Sequence, residues 1–162
     1  MNSILNNVII IIRGRNLFKG ENIMKKSLLD KQAFAQLEKG FSNAEKVLND
    51  GNKINNLFSN LNKKLQSYPK IAEKVANIPV LIEMVKAYVS KKYTKIPVKS
   101  IIAIVSALIY LVVPTDLIPD FIPGIGLVDD FAVLRICIEL VNMDIIEFKK
   151  WRESNLISAV KE

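Results

Sequence analysis

Four aspartates, Asp116, Asp120, Asp129 and Asp130, fall within one short segment that reads PTDLIPDFIPGIGLVDD from Pro114 to Asp130. Carboxylate oxygens are the ligands that hard cations take, so a loop folding back on itself would offer Mg²⁺ or Ca²⁺ an oxygen-rich site. On that reading Asp116 and Asp120 hold the ion and Asp129 or Asp130 activates water, as in a metal-dependent hydrolase working near a bilayer. The spacing is not that of an EF-hand, whose loop needs alternating ligands and a terminal Glu. A competing reading is architectural. Asp116 begins the turn after Pro114, and Asp120 bonds loop amides or meets Arg135. Asp129 and Asp130 stand near a helix N-terminus, where negative charge is favourable. Architecture fits these residues better, so no catalytic, cofactor-binding or metal-binding residue is assigned and no cofactor is expected.

The residue inventory narrows the chemistry further. The chain has no His, which removes Ser/His/Asp and Cys/His catalysis, HExxH zinc sites and imidazole proton shuttles. Its one cysteine, Cys137, has no partner for an internal disulfide. With Ile136 and Ile138 beside it, Cys137 reads as a buried, inert thiol. The balance points away from an enzyme.

Within the acidic segment, Pro114, Pro119 and Pro123 each remove a backbone donor and restrict the residue before them, so the segment is expected to be a rigid turn. Here the chain resembles the YkvA-like family, whose signature is YxxxPxDLIPDFIPxxGxxDD. Tyr110, Pro114, Asp116, Leu117, Ile118, Pro119, Asp120, Phe121, Ile122, Pro123, Gly126, Asp129 and Asp130 all fall in register. The resemblance extends more loosely from about Tyr88 to Leu140. It implies a membrane-associated helical domain, usually multi-pass, with no established reaction, substrate or cofactor.

Two apolar stretches must position this turn. Ile78-Pro79 opens a helix at its first turn, and Leu81, Met84, Val85 and Tyr88 mark its buried side. The basic cluster Lys91, Lys92, Lys95 and Lys99 follows. Ser100 to Val113 then carries no charge, and Ala103, Ser106 and Ala107 are small enough for close helix contact. Pro114 ends or bends this helix. Fourteen uncharged residues fall short of the roughly 20 that a span needs, whereas Pro97 to Ile118 reaches that length.

Beyond the turn, Phe131 to Met143 is a second apolar stretch, with Arg135 and Glu139 placed to neutralise one another at i, i+4. Either charge alone would be costly in lipid, which puts a spanning role for this arm in doubt. Lys149, Lys150 and Arg152 follow, so basic residues flank the hairpin on both outer sides. The positive-inside rule places both ends in the cytoplasm. Three placements are compatible with the pattern: a two-span hairpin, a re-entrant hairpin, or a bundle that buries these helices in its own core.

Upstream lies a Lys-rich region. Phe34, Leu37, Phe41, Ala44 and Leu48 recur at helical spacing, and Ile54, Leu57, Phe58, Leu61 and Leu65 resume the stripe after Asp50-Gly51-Asn52. Asp30 is a candidate N-cap. The stripes either pack on the rest of the chain or bind another helix as a soluble adaptor would. From Met24 to Lys99 fifteen Lys face six acids, a net of +9, whereas Ser100 to Glu162 carries a net of −4. A basic arm next to an apolar module suggests a lipid bilayer as partner, with anionic lipid met through the lysines. Nucleic acid is not favoured, because the lysines are dispersed among Glu and no recognition motif is present. No feature names a protein partner.

At the N-terminus, Val8 to Ile12 precedes Arg13 and Arg15, the reverse of a secretory signal. In an AT-rich gene Lys19 to Met24 would be encoded by a ribosome-binding sequence followed by ATG, so translation is expected to start at Met24. The expected protein is all-α, with amphipathic helices followed by an apolar helical hairpin around a Pro/Asp-rich rigid turn. Its regions are a mis-annotated extension (1–23), a Lys-rich helical region (24–87), a YkvA-like domain (88–147) and a polar C-terminal tail (148–162).

Overall fold

The structure is a computed structural model and describes residues 28–67, 76–112 and 130–160. Those residues form α1 (Leu28–Lys39), α2 (Phe41–Leu48), α3 (Gly51–Ser67), α4 (Ile78–Val89), α5 (Val98–Val112), α6 (Asp130–Leu140) and α7 (Asn142–Val160). No strand occurs among them, so the fold is all-α, as the periodicity requires. The first 23 residues, with the question of the start at Met24, lie outside the described residues.

Helix α5 is the axis of the bundle. It packs against α1, α2, α3, α4 and α6, and every residue from Ile101 to Leu108 is buried. A helix enclosed by its own chain can be apolar all round, which is why SIIAIVSALIYLVV needs no lipid to satisfy it. At 15 residues the helix is about 22 Å long, against about 30 Å for a bilayer's hydrocarbon core. Among the described residues no helix is long and apolar enough to cross a membrane. The spanning helix expected over Pro97 to Ile118 is therefore not found in α5, and the rest of that stretch lies outside the described residues.

The stripes of the Lys-rich region are consumed by this packing. Ala33, Leu37, Ala44, Ile54, Leu57, Phe58 and Leu61 are all buried, with Phe34, Phe41, Leu48 and Leu65 partly so. The face that a soluble adaptor would present to a second helix is, in the structure, packed within the bundle against α5. Lys31, Lys39, Lys46, Lys53 and Lys63 remain exposed on the outside.

Local chemistry sets the helix boundaries. Asp50 caps α3, its Oδ1 accepting the amides of Asn52 at 3.0 Å and Lys53 at 3.1 Å. Gly40 separates α1 from α2 with ordinary right-handed dihedrals. A side chain there would meet Ser106 Oγ of α5, so glycine is required for close approach rather than for a turn. Pro79 stands in the first turn of α4, where its missing N–H costs nothing. The second apolar stretch ends sooner than expected, because α6 stops at Leu140 and Met143 belongs to α7. Residues expected as a polar tail are helical, and Phe148 is buried in the core.

Candidate functional site

The C-terminal turn of α5 and the first turn of α6 bracket the acidic segment. Tyr110 is half-buried on α5, and Asp130 is the first residue of α6. Lys64 of α3 donates from Nζ to the Leu111 carbonyl at 2.5 Å. That carbonyl is among the last four of α5, which no intrahelical N–H can satisfy, so the lysine ties the sheath to the helix that leads into the turn. The other signature positions, Pro114, Asp116, Leu117, Ile118, Pro119, Asp120, Phe121, Ile122, Pro123, Gly126 and Asp129, lie outside the described residues. Among the described residues no three His, Cys, Asp or Glu groups are placed to hold a metal.

Polar contacts fasten α1 onto this hairpin. Arg135 of α6 donates to Glu139 Oε1 at 3.0 Å, as the i, i+4 spacing predicts. It also pairs with Asp30 of α1. Asp30 therefore sits in the first turn of its helix as the partner of a distant arginine, and not only as a capping residue. These two carboxylates hold the Arg135 guanidinium above its ordinary pKa, hydrogen bonding by Asp30 being the larger cause. Ser106 donates from Oγ to the Leu37 carbonyl at 2.7 Å, near the end of α1. Ser106, one of the small residues expected to allow close helix contact, lies where α1 and α2 approach α5.

The opposite end of the hairpin is built from the α4–α5 connection and the start of α7. Ser100 Oγ donates to Asp144 Oδ2 at 2.7 Å, joining the first turns of α5 and α7 around a buried carboxylate. Tyr93 packs edge-on to Phe148, with centroids 5.5 Å apart, and lies 4.7 Å from Trp151. Its hydroxyl is pushed above the usual tyrosine range by burial, and further by the charges of Glu147 and Asp144. Around this joint Lys91, Lys92 and Lys95 are exposed and Lys99 is half-buried. Cys137 is fully buried, with Sγ 3.5 Å from the Ala103 carbonyl, and burial raises its thiol to about 12. It is an inert core residue, as its neighbours suggest.

The family model described as "Protein of unknown function (DUF1232)" matches residues 100–135, which cover α5, the acidic segment and the start of α6. The chain is also similar to the uncharacterized membrane protein YkvA of Bacillus subtilis (strain 168), at 32% identity over 78 residues, 48% of this chain and 74% of the relative. The chain belongs to the YkvA-like family. The family match thus falls on the hairpin, while the helices that enclose it, α1 to α3, lie outside the matched residues. No solved structure matches the chain.

Three contributors escaped sequence reasoning. Gly40 carried no signal, since a lone glycine beside a helical stripe reads as a simple break. Lys64 looked like one more surface lysine, and Ser100 had nothing to connect it with Asp144, 44 residues away.

Proposed function

We propose that this protein is a non-enzymatic, membrane-associated helical module, held at the bilayer surface with its apolar hairpin enclosed by its own amphipathic helices. The observation that carries this reading is the burial of Ile101 to Leu108, the middle of α5, within a bundle of α1 to α4 and α6. An enclosed helix offers lipid no apolar face, which leaves the basic exterior to meet anionic lipid. The relative's description as a membrane protein supports the association. On this reading part of the basic exterior faces the cytoplasmic leaflet, whose negative surface attracts each lysine near it by about 1 kcal/mol. Acidic turn and basic flanks then lie on different parts of the hairpin, and the turn's aspartates act in architecture.

A second reading keeps the hairpin in the bilayer with both ends cytoplasmic. It is favoured by the absence of any charge from Ser100 to Val113. It requires α1 to α3 to leave α5 and the chain to continue the helix beyond Val112. Fractionation of cells expressing the untagged protein tests the association common to both readings. The protein is expected in the membrane fraction at low salt, and recovery in the soluble fraction would defeat both.

A further inference from the structure

One lysine of the basic cluster stands where the backbone disfavours it. Lys91 has φ 58°, in the left-handed region. It follows the C-terminus of α4 in a Schellman arrangement: the Lys92 amide donates to the Ala87 carbonyl at 2.9 Å and the Lys91 amide to the Tyr88 carbonyl at 3.0 Å. Glycine is the usual residue at that position because any Cβ crowds the following carbonyl. A lysine kept at such a position raises the question of what its side chain does.

What surrounds Lys91 indicates the use. The ties from Ser100 to Asp144 and from Tyr93 to Phe148 and Trp151 hold the α4–α5 connection against the first half of α7. At this end Lys91, Lys92 and Lys95 are exposed and Lys99 is half-buried, and Lys150 of α7 is exposed. None of the four clustered lysines makes an ion pair among the described residues. Glu147 is the exposed acid at this end. Four large apolar side chains stand in water beside the lysines: Val89 is 42% exposed, Val98 48%, Met143 42% and Ile146 38%. Cationic side chains interspersed with shallow apolar ones are what an interface of anionic headgroups over acyl chains accommodates.

We propose that this end of the bundle, formed by residues 89–99 and the first half of α7, is a docking surface for anionic lipid bilayers. This rests on the membrane-associated reading above and adds to it the location of the contact. Lysine headgroups meet lipid phosphates while Val89, Val98, Met143 and Ile146 enter the headgroup boundary. The C-terminal end of α5, at Val112, is the end remote from this surface.

Sedimentation of the full chain with vesicles of phosphatidylglycerol and phosphatidylcholine, compared with phosphatidylcholine alone, tests it. Lys91→Gly is the informative variant, because relief of the left-handed strain raises Tm by about 2–4 °C while binding falls about fivefold. Val98→Asp is expected to weaken binding with little change in Tm. Neutralising Lys91, Lys92, Lys95 and Lys99 together with Gln should abolish binding at moderate salt. The control neutralises Lys31, Lys39, Lys46 and Lys63, which changes net charge equally on another face. Equal losses in both quadruple variants, or wild-type binding by Lys91→Gly and Val98→Asp, would overturn the docking surface. Those results leave the wider reading standing if the wild type still binds. A wild type that binds neither vesicle and stays soluble in cells would remove both.

Discussion

Ser106 occupies the space that Gly40 leaves open, and its hydroxyl closes the end of α1 by donating to the Leu37 carbonyl. Here the amphipathic sheath packs directly on the apolar helix. It defines the account of the protein as a hairpin enclosed by its own chain.

The first prediction concerns that pair. Gly40→Ala forces a methyl group against Ser106 Oγ and should cost about 1–3 kcal/mol by overpacking. Ser106→Ala loses one buried hydrogen bond, about 1 kcal/mol. With both changes the remaining neighbours are the side-chain carbon of residue 106 at 3.3 Å and the Leu37 carbonyl oxygen at 3.4 Å, contacts that relax by tenths of an ångström. The double variant should therefore be more stable than the two single losses added together. Urea midpoints of the four proteins measure this coupling, and additive losses would contradict the contact.

Lys64 gives a second prediction at the turn. Lys64→Gln leaves the Leu111 carbonyl without its cationic donor, so the last turn of α5 should fray while the global midpoint changes by less than about 1 kcal/mol. Hydrogen exchange read at Ile109 to Val112 should speed up, with Ile101 to Ala107 unaffected. Unchanged exchange at the C-terminal turn would refute the tie.

A third prediction concerns alkaline pH. Tyr93 and Cys137 are both shifted upward, by burial first, and in Tyr93 also by Glu147 and Asp144. Each favours its neutral form in the folded state, so the stability each contributes is complete below its unfolded value and is lost as pH rises through that value to the folded one. For Cys137 the window runs from a free thiol's roughly 8.5 to about 12, and for Tyr93 it begins near 10. Urea midpoints should fall between pH 9 and pH 11, and less steeply in Tyr93→Phe. Correspondingly, Cys137 should resist a thiol reagent at pH 8 until urea unfolds the protein.

Much of this fold was legible in the chain. The stripes through Leu37, Ala44, Leu57 and Leu61 gave helices with their buried faces, and Pro79 marked the start of α4. Arg135 and Glu139 were paired by spacing alone. What the sequence could not convey was which surface would cover α5. A run such as Ser100 to Val113 is equally suited to lipid and to a protein interior, since both lack water, and the contacts that cover α5 in the structure, such as those of Gly40 and Lys64, are long-range and leave no mark on the local pattern. Asp144 was hidden for a similar reason: an acid near a helix start reads as a capping charge until its distant partner is known. Of the four aspartates that the sequence marks as a candidate site, Asp116, Asp120 and Asp129 lie outside the described residues.

The most direct test of the enclosed hairpin is alkaline carbonate extraction of membranes carrying the wild-type protein. Surface association predicts release into the supernatant, with the purified protein soluble without detergent. Retention in the carbonate-washed membranes, alongside a control membrane-spanning protein, would contradict it and place the hairpin in the bilayer.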